Sequence, residues 1–285
     1  MLVKGQVASG ATIGNVAILL AVYNGEKYIR EQLDSLYSQT YKDWSLYIHD
    51  DGSIDATMSI IREYIDRYDN IEILPFSGGC GAKDSFLKML QEIDADYYFF
   101  CDQDDVWTPQ KVEISLSEIK KIELEFGADK PIIIHSDLEV VDKELRTISK
   151  SFWNMMMIRP DKLKTFNQLG ANCLVTGCTM LFNSSAKKCT LFPANNALMH
   201  DVWITLCVAK HEGVIYGINI PLIKYRQHDK NTLGAKDMRQ DSKLINKLCN
   251  WKRIISQNRA TYNMLKDLNY GSWAKFIFFK ILYRL

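Results

Sequence analysis

The chain has no Cys-x-x-Cys pair among its seven cysteines, and the seven are scattered through 285 residues. An odd, dispersed set argues against a secreted disulfide scaffold or a zinc module and predicts reduced thiols in a cytoplasm. No Gly-x-Gly-x-x-Gly follows the first apolar run, and no Gly-Lys-Ser/Thr loop is present. These absences exclude the common dinucleotide and P-loop fingerprints. Long hydrophobic runs are missing too. The longest early one, Val16–Val22, falls far short of the ~20 residues that span a bilayer. Only Lys4 precedes it and Tyr23-Asn24-Gly25 follows, a poor signal peptide. Charge of one sign is scarce where charge of the other collects. Residues 1–235 hold 24 Lys/Arg against 31 Asp/Glu, a net −7, whereas residues 236–285 hold 11 against 3, a net +8. This predicts an acidic body, 1–235, and a basic tail, 236–285.

What is present has a clear rhythm. Val16–Val22, Trp44–Ile48, Ile71–Leu74 and Tyr97–Cys101 read as strands, separated by helical patterns that begin near Gly25, Asp55 and Lys83. Such alternation predicts βαβ units and a parallel, doubly wound α/β sheet. After Asp105 the rhythm loosens. A helix from Pro109 to about Phe126 is expected, then strands at 132–134, 137–145, 173–182, 214–218 and 221–226, with a helix over 202–209. Residues 150–168 show no period and read as a loop or lid.

Open α/β sheets bind ligands at the carboxyl ends of their strands, and here those ends are acidic: Asp50-Asp51 and Asp102-Gln103-Asp104-Asp105. Five carboxylates on one rim repel unless a cation sits among them. Hard oxygen donors suit Mg²⁺ or Mn²⁺ carrying a diphosphate. Capping accounts for Asp55, and ordinary packing for His49, His135 and His211. Trp107 and Trp203 are read equally as sugar platforms or core aromatics.

Val22-Tyr23-Asn24-Gly25, Asp50-Asp51-Gly52-Ser53-x-Asp55, Cys101-Asp102-Gln103-Asp104-Asp105-Val106-Trp107, His200-Asp201-Val202-Trp203 and Tyr225-Arg226-Gln227-His228 stand in one order. Together they resemble a family 2 glycosyltransferase of the GT-A fold, and within it the bacterial rhamnosyltransferases of cell-wall and capsular polysaccharide synthesis. The likeness covers about 15–235. It implies a Rossmann-like nucleotide-binding half, a mixed-sheet acceptor half, and a helical tail outside the match. It also implies roles. Ala21, Tyr23, Glu26 and Asp50 or Asp51 would hold the base and ribose. Asp102 and Asp104 match the Asp-x-Asp motif, Asp104 as direct metal ligand and Asp102 toward ribose or metal, with Gln103 between them on the donor. Lys83 and Arg226 would meet phosphate, His228 the metal, and Asp201 would be the catalytic base. His200 departs from the acidic residue common at that place.

The resemblance therefore implies an inverting, metal-dependent transfer, with L-rhamnose from dTDP-rhamnose as donor and a lipid-linked glycan as acceptor. Rivals are a UDP-sugar-dependent galactosyl, glucosyl or N-acetylhexosaminyl transferase, and a non-catalytic sugar-nucleotide-binding subunit. A nucleotidyltransferase would need a Gly-rich basic loop after the first strand, which Tyr23-Asn24-Gly25-Glu26 is not. Trp251-Lys252-Arg253-Ile254-Ile255 and Trp273–Leu285 interleave bases with apolar residues, as helices lying on anionic lipid do. This predicts a cytoplasmic protein, peripheral on the inner face of the plasma membrane, and a body that stays soluble when cut after Ala235. A tail docked on the chain's own body or on a second copy is the competing reading, and it leaves self-association open. Nucleic acid is not expected, because the acidic body would repel it.

Overall fold

A computed structural model describes residues 14–229 and 251–283. The first half runs β1 (Val16–Val22), α1 (Ile29–Tyr37), β2 (Ser45–Asp50), α2 (Thr57–Ile65), β3 (Ile71–Ile73), α3 (Gly81–Glu92) and β4 (Tyr97–Asp102). The four strands are parallel in the order β3-β2-β1-β4, as the alternation predicts. The strands alternate to both faces because side chains point alternately up and down. Ile18, Leu20, Phe99 and Cys101 enter the core under α1, α2 and the helix after β4. Leu19, Tyr98 and Phe100 enter the opposite one. Continuing that alternation, Asp102 emerges on the face of Phe100.

Beyond β4 the order is β5 (Val106–Trp107), α4 (Lys111–Phe126), β6 (Ile132–Val141), β7 (Thr147–Ser149), α5 (Phe152–Met156), α6 (Phe166–Asn172), β8 (Met180–Asn183), α7 (Ser184–Lys188), α8 (His200–Lys210) and β9 (Val214–Arg226). Here the sheet is mixed. β8 lies antiparallel between β4 and β6, β9 runs parallel to β6, and β5 closes the edge.

Several sequence expectations are corrected. Residues 150–168 are not an open loop: Asp137, buried, accepts the amide of Trp153 at 3.0 Å and the Ser151 hydroxyl, fixing the start of α5. The strand expected over 173–182 is shortened to β8, because Cys173 is the C-cap of α6 and a 3₁₀ turn at Gly177–Thr179 precedes the strand. The two short strands at 214–218 and 221–226 are one strand, whose register shifts opposite Pro221, a residue with no N–H for the ladder.

The tail supplies α9 (Trp251–Asp267) and α10 (Trp273–Leu282). They are not a separate unit. Met264, Leu265, Leu268, Tyr270 and Phe276 are buried in one core with Leu169 of α6 and Trp203 and Leu206 of α8. Polar bonds reinforce the seam: Tyr270 Oη donates to Asn167 O, Asn172 Nδ2 to Phe279 O at 3.2 Å, and Lys280 Nζ to Ala171 O at 3.0 Å. Docking on the chain's own body is the reading that the geometry favours. α8 is thereby buried nearly all round, as a helix enclosed by two cores must be.

Candidate active site at the carboxyl edge of the sheet

Strand register builds the site. Val22 pairs with Asp50, and Ala21 pairs with Asp102, so the ends of β2, β1 and β4 stand side by side. The loop after β1 is sewn to the loop after β2. Asn24 takes a left-handed conformation (φ 46°), its amide donates to Ser53 Oγ at 2.9 Å, and its side-chain oxygen accepts from the Ile54 amide at 2.9 Å. Gly25 donates to Thr57 Oγ1 at 2.7 Å, and a Cβ at Gly25 would lie 2.2 Å from the Gln103 amide oxygen. Asn24 suits the left-handed backbone, and Gly25 leaves the space that the Gln103 side chain fills.

Several residues expected to meet the donor are also bonded within the protein. Gln103 clasps Tyr23 reciprocally, accepting from its amide and donating to its carbonyl at 2.9 Å each. Glu26 accepts from the Ala56 amide at 3.0 Å, capping α2, while Asp55 accepts from Thr57 and from the Glu26 amide rather than forming the cap itself. Lys83 pairs with its neighbour Asp84 at 3.1 Å. Arg226 is buried and faces the interior. Its Nε donates to Asp104 O and its Nη1 to Lys143 O, at 2.8 Å each, its Nη2 meets Glu31, and its guanidinium lies over the Tyr28 ring. All four are thus bonded within the protein at this edge, with Glu26 exposed, Lys83 and Gln103 half-buried and Arg226 buried. Trp107 and Trp203 are each 2% exposed and belong to the cores, not to a sugar platform. Tyr23 is 56% exposed at the rim.

The carboxylates divide by surroundings. Asp50 accepts from the Ser53 amide at 3.0 Å. Asp51 accepts from the amides of Cys80 and Gly81 at 2.8 Å each, tying the end of β2 to the start of α3. Burial, then Asp104, then Asp201, pushes the Asp102 carboxyl up to about 7. Burial, then the same neighbours Asp104 and Asp102, pushes Asp105 well above the usual range, and its Oδ2 has no hydrogen-bond partner. Asp104 meets His228 Nε2 at 2.8 Å, and the His228 ring stacks on Tyr28 at 4.8 Å.

Asp201 comes to the same edge from α8. It is not the cap, which is Met199. It lies in the first helical turn, where the macrodipole favours a carboxylate. Its Oδ2 accepts from the Gly177 amide at 2.8 Å. A Cβ on Gly177 would lie 2.7 Å from His200 Nε2, so the turn needs glycine there. His200 itself packs between Phe86 and Phe100, with neither ring nitrogen hydrogen-bonded.

Beneath the rim lies a cation that pattern reading missed. Lys111 Nζ is buried without a hydrogen-bond partner, 4.3 Å from the Trp107 ring centre and 4.9 Å from that of Phe99. Burial holds it down to about 8, opposed by Cys178, Cys101 and Asp105. Its position in the first turn of an amphipathic helix, one turn after Trp107, was the available signal. Cys178, also missed, places its thiol within 4.8 Å of ligand oxygens of Asp102 and Asp105. Nothing in its sequence neighbourhood marks it.

These residues fit a divalent cation. Burial first and neighbouring carboxylates second hold Asp102 and Asp105 toward protonation, Asp105 keeps a buried oxygen unpartnered, and ligand atoms of Asp102, Asp105 and Cys178 lie within 4.8 Å of one another, with Asp104 bonded to His228 at the same edge.

A mixed sheet with acidic carboxyl ends and a helix-borne carboxylate defines a nucleotide-sugar transferase architecture. The chain belongs to Glycosyl transferase family 2, whose model matches residues 17–189. It is similar to the dTDP-rhamnosyl transferase RfbG of Shigella flexneri, 28% identical over 233 residues, covering 76% of this chain and 74% of that protein. An uncharacterised glycosyltransferase of Rickettsia typhi is 27% identical over 227 residues, covering 77% of this chain and 66% of its own length. Several other rickettsial relatives are spanned over a third of their length or less. Among solved structures, Staphylococcus aureus TarS 1–349 in complex with UDP-GlcNAc superposes with a TM-score of 0.57 at 16% identity, covering 76% of this chain and 60% of that one. The mannosyltransferase PcManGT of Pyrobaculum calidifontis, in complex with GDP-Man and Mn²⁺, gives 0.53 at 15%, covering 76% and 58%. Both share the GT-A fold with this chain.

Proposed function

We propose that the protein is an inverting, metal-dependent glycosyltransferase that adds a sugar from a nucleoside diphosphate donor to a growing bacterial cell-surface glycan. The observation that carries this is the meeting of Asp201, from α8, with Asp102 and Asp104, from the end of β4, at one sheet edge. Tyr23 and Asp50, with Ala21 behind them, line the part assigned to the base and ribose, and Asp51 anchors α3 beside it. A carboxylate facing the imide N–H of uracil or thymine accepts its hydrogen bond, selecting that base type. Asp104, Asp102 and His228 would hold a divalent cation. When bound, that cation neutralises charge on the departing diphosphate.

Asp201 is the base. The acceptor hydroxyl oxygen forms the new bond to the anomeric carbon, the bond to the diphosphate breaks with its electron pair, and the proton passes to the Asp201 carboxylate. The Gly177 amide holds that carboxylate in place. Rhamnose from dTDP-rhamnose is the favoured donor, supported by the likeness to RfbG. The similar WfgD of Escherichia coli, a UDP-Glc-dependent glucosyltransferase by name, keeps UDP-glucose in the comparison. The acceptor in its name, α-D-GlcNAc-diphosphoundecaprenol, supports a lipid-linked acceptor here.

No helix among the described residues is long and apolar enough to cross a membrane. Membrane contact is assigned to the outer face of α10, where Phe278, Ile281 and Leu282 are exposed. Lys275 and Lys280 are turned onto backbone carbonyls.

A screen of nucleotide-sugar donors for hydrolysis, with and without EDTA, tests the reading. Turnover that EDTA removes, lost in Asp104→Ala and reduced about 10²–10⁴-fold in Asp201→Asn, is expected. Near-normal turnover in Asp201→Asn defeats the base assignment. Nucleotide binding with no turnover, even with acceptor, favours a non-catalytic subunit. Sedimentation with anionic liposomes is expected for the full chain and weakened by Phe278→Asp.

A further inference from the structure

The transfer chemistry leaves one polar cluster unused. His49 is the penultimate residue of β2, Asp51 follows that strand, and Cys80 directly precedes α3. His49 Nε2 lies 3.9 Å from Cys80 Sγ and 3.8 Å from Asp51 Oδ1, and all three atoms fall within 4.8 Å of one another. Imidazole nitrogen, thiolate sulfur and carboxylate oxygen are the donors of zinc. Tetrahedral Zn²⁺, with bonds of about 2.0 Å to nitrogen and about 2.3 Å to sulfur, holds its ligand atoms roughly 3.3–3.7 Å apart. The two distances from His49 Nε2 need to close by only a few tenths of an ångström.

Two of the three groups are already fixed. The Asp51 carboxylate is held by the Cys80 and Gly81 amides, and each of its oxygens keeps a further lone pair. His49 is wholly buried with Nε2 turned toward Cys80 and Asp51, and burial favours the neutral imidazole that a ligand must be. Cys80 is half-buried beneath the exposed Ser77–Gly79 loop, which leaves a route for a cation. A hard cation demanding six oxygens does not suit this set, whereas a thiophilic one does.

We propose that His49, Asp51 and Cys80 form a binding site for a thiophilic divalent cation of the Zn²⁺ type, separate from the carboxylates at the end of β4. Binding exchanges the Cys80 S–H bond for a sulfur–metal bond and releases one proton to solvent, with water in the fourth position. The assignment is independent of the transfer reading, because it is probed with metal alone.

The test uses Co²⁺ as a spectroscopic stand-in, titrated into the reduced full-length chain without nucleotide. Expected is a thiolate-to-cobalt charge-transfer band that saturates near one equivalent and is bleached by Zn²⁺. The band disappears in Cys80→Ser, binding weakens at least about tenfold in His49→Gln, and Cys189→Ser keeps it. Circular dichroism verifies that each variant is folded. A band that survives in Cys80→Ser, or no sulfur-ligated band in the wild-type chain, overturns the proposal.

Discussion

At the scale of single residues, buried ionisable groups give the sharpest expectations. His135 is buried against Trp153, and desolvation holds its imidazole down to about 4. Its unfolded value is about 6.5, so the unfolded chain binds the extra proton first. The stability this residue confers is therefore complete above pH 6.5 and is lost as pH falls toward 4. Chemical denaturation of His135→Phe should show a flatter acid limb across that window. Asp102 has the opposite sign. Its folded value near 7 lies above its unfolded value, so its contribution falls as pH rises from about 4 to about 7. Asp102→Asn should remove that decline, measured on the metal-free protein.

At the scale of elements, the turn at Gly177–Thr179 locks the start of α8. In Gly177→Ala the added methyl would meet His200 Nε2 at 2.7 Å, and His200 cannot retreat because Phe86 and Phe100 flank it. A loss of about 1–3 kcal/mol is expected. Turnover should fall further than that loss explains, since the displaced amide is the one bonded to Asp201. Gly177→Ala retaining wild-type kcat would refute the coupling.

This is also the scale at which sequence reading divides into what was legible and what was not. Strands β1 to β4 could be read because each is a short, largely apolar run closed by Asn-Gly, by aspartates or, for β3, by Pro75, a local signal. Asp102 could be named because it follows such a run, and Asp201 because the His200-Asp201-Val202-Trp203 segment carries the family resemblance. Glu26, Gln103 and Arg226 could not be placed. Their partners, Ala56, Tyr23 and Asp104, are supplied by loops 30, 80 and 122 residues away. The same holds for α5, fixed by Asp137 across a hairpin, and for β9, where Pro221 looks like a break but sits at a register shift. Lys111 escaped because a buried, unpaired ammonium contradicts the prior that lysines face water.

At the scale of the whole molecule, the charge split suggested two separable parts, and the structure joins them. Five apolar side chains of the tail share a core with Trp203 and Leu206, each contributing roughly 1.5–3 kcal/mol on burial. Cutting after Ala235 would expose that core. The truncated body should therefore unfold at least about 10 °C lower than the full chain or aggregate, rather than remain a soluble nucleotide-binding unit. Differential scanning calorimetry of both forms decides this. The milder Phe276→Ala should cost about 3–5 kcal/mol and lower turnover with it.

The shared core also has a bearing on biosynthesis. Phe276 is polymerised some seventy-five residues after Asp201, yet it helps brace the helix that carries that carboxylate. A nascent chain can assemble its first four strands while still on the ribosome, but the helix bearing Asp201 gains its full support only after the tail has been translated. Premature release would therefore yield a protein with a formed β1–β4 edge and an unsteady Asp201, the proposed base.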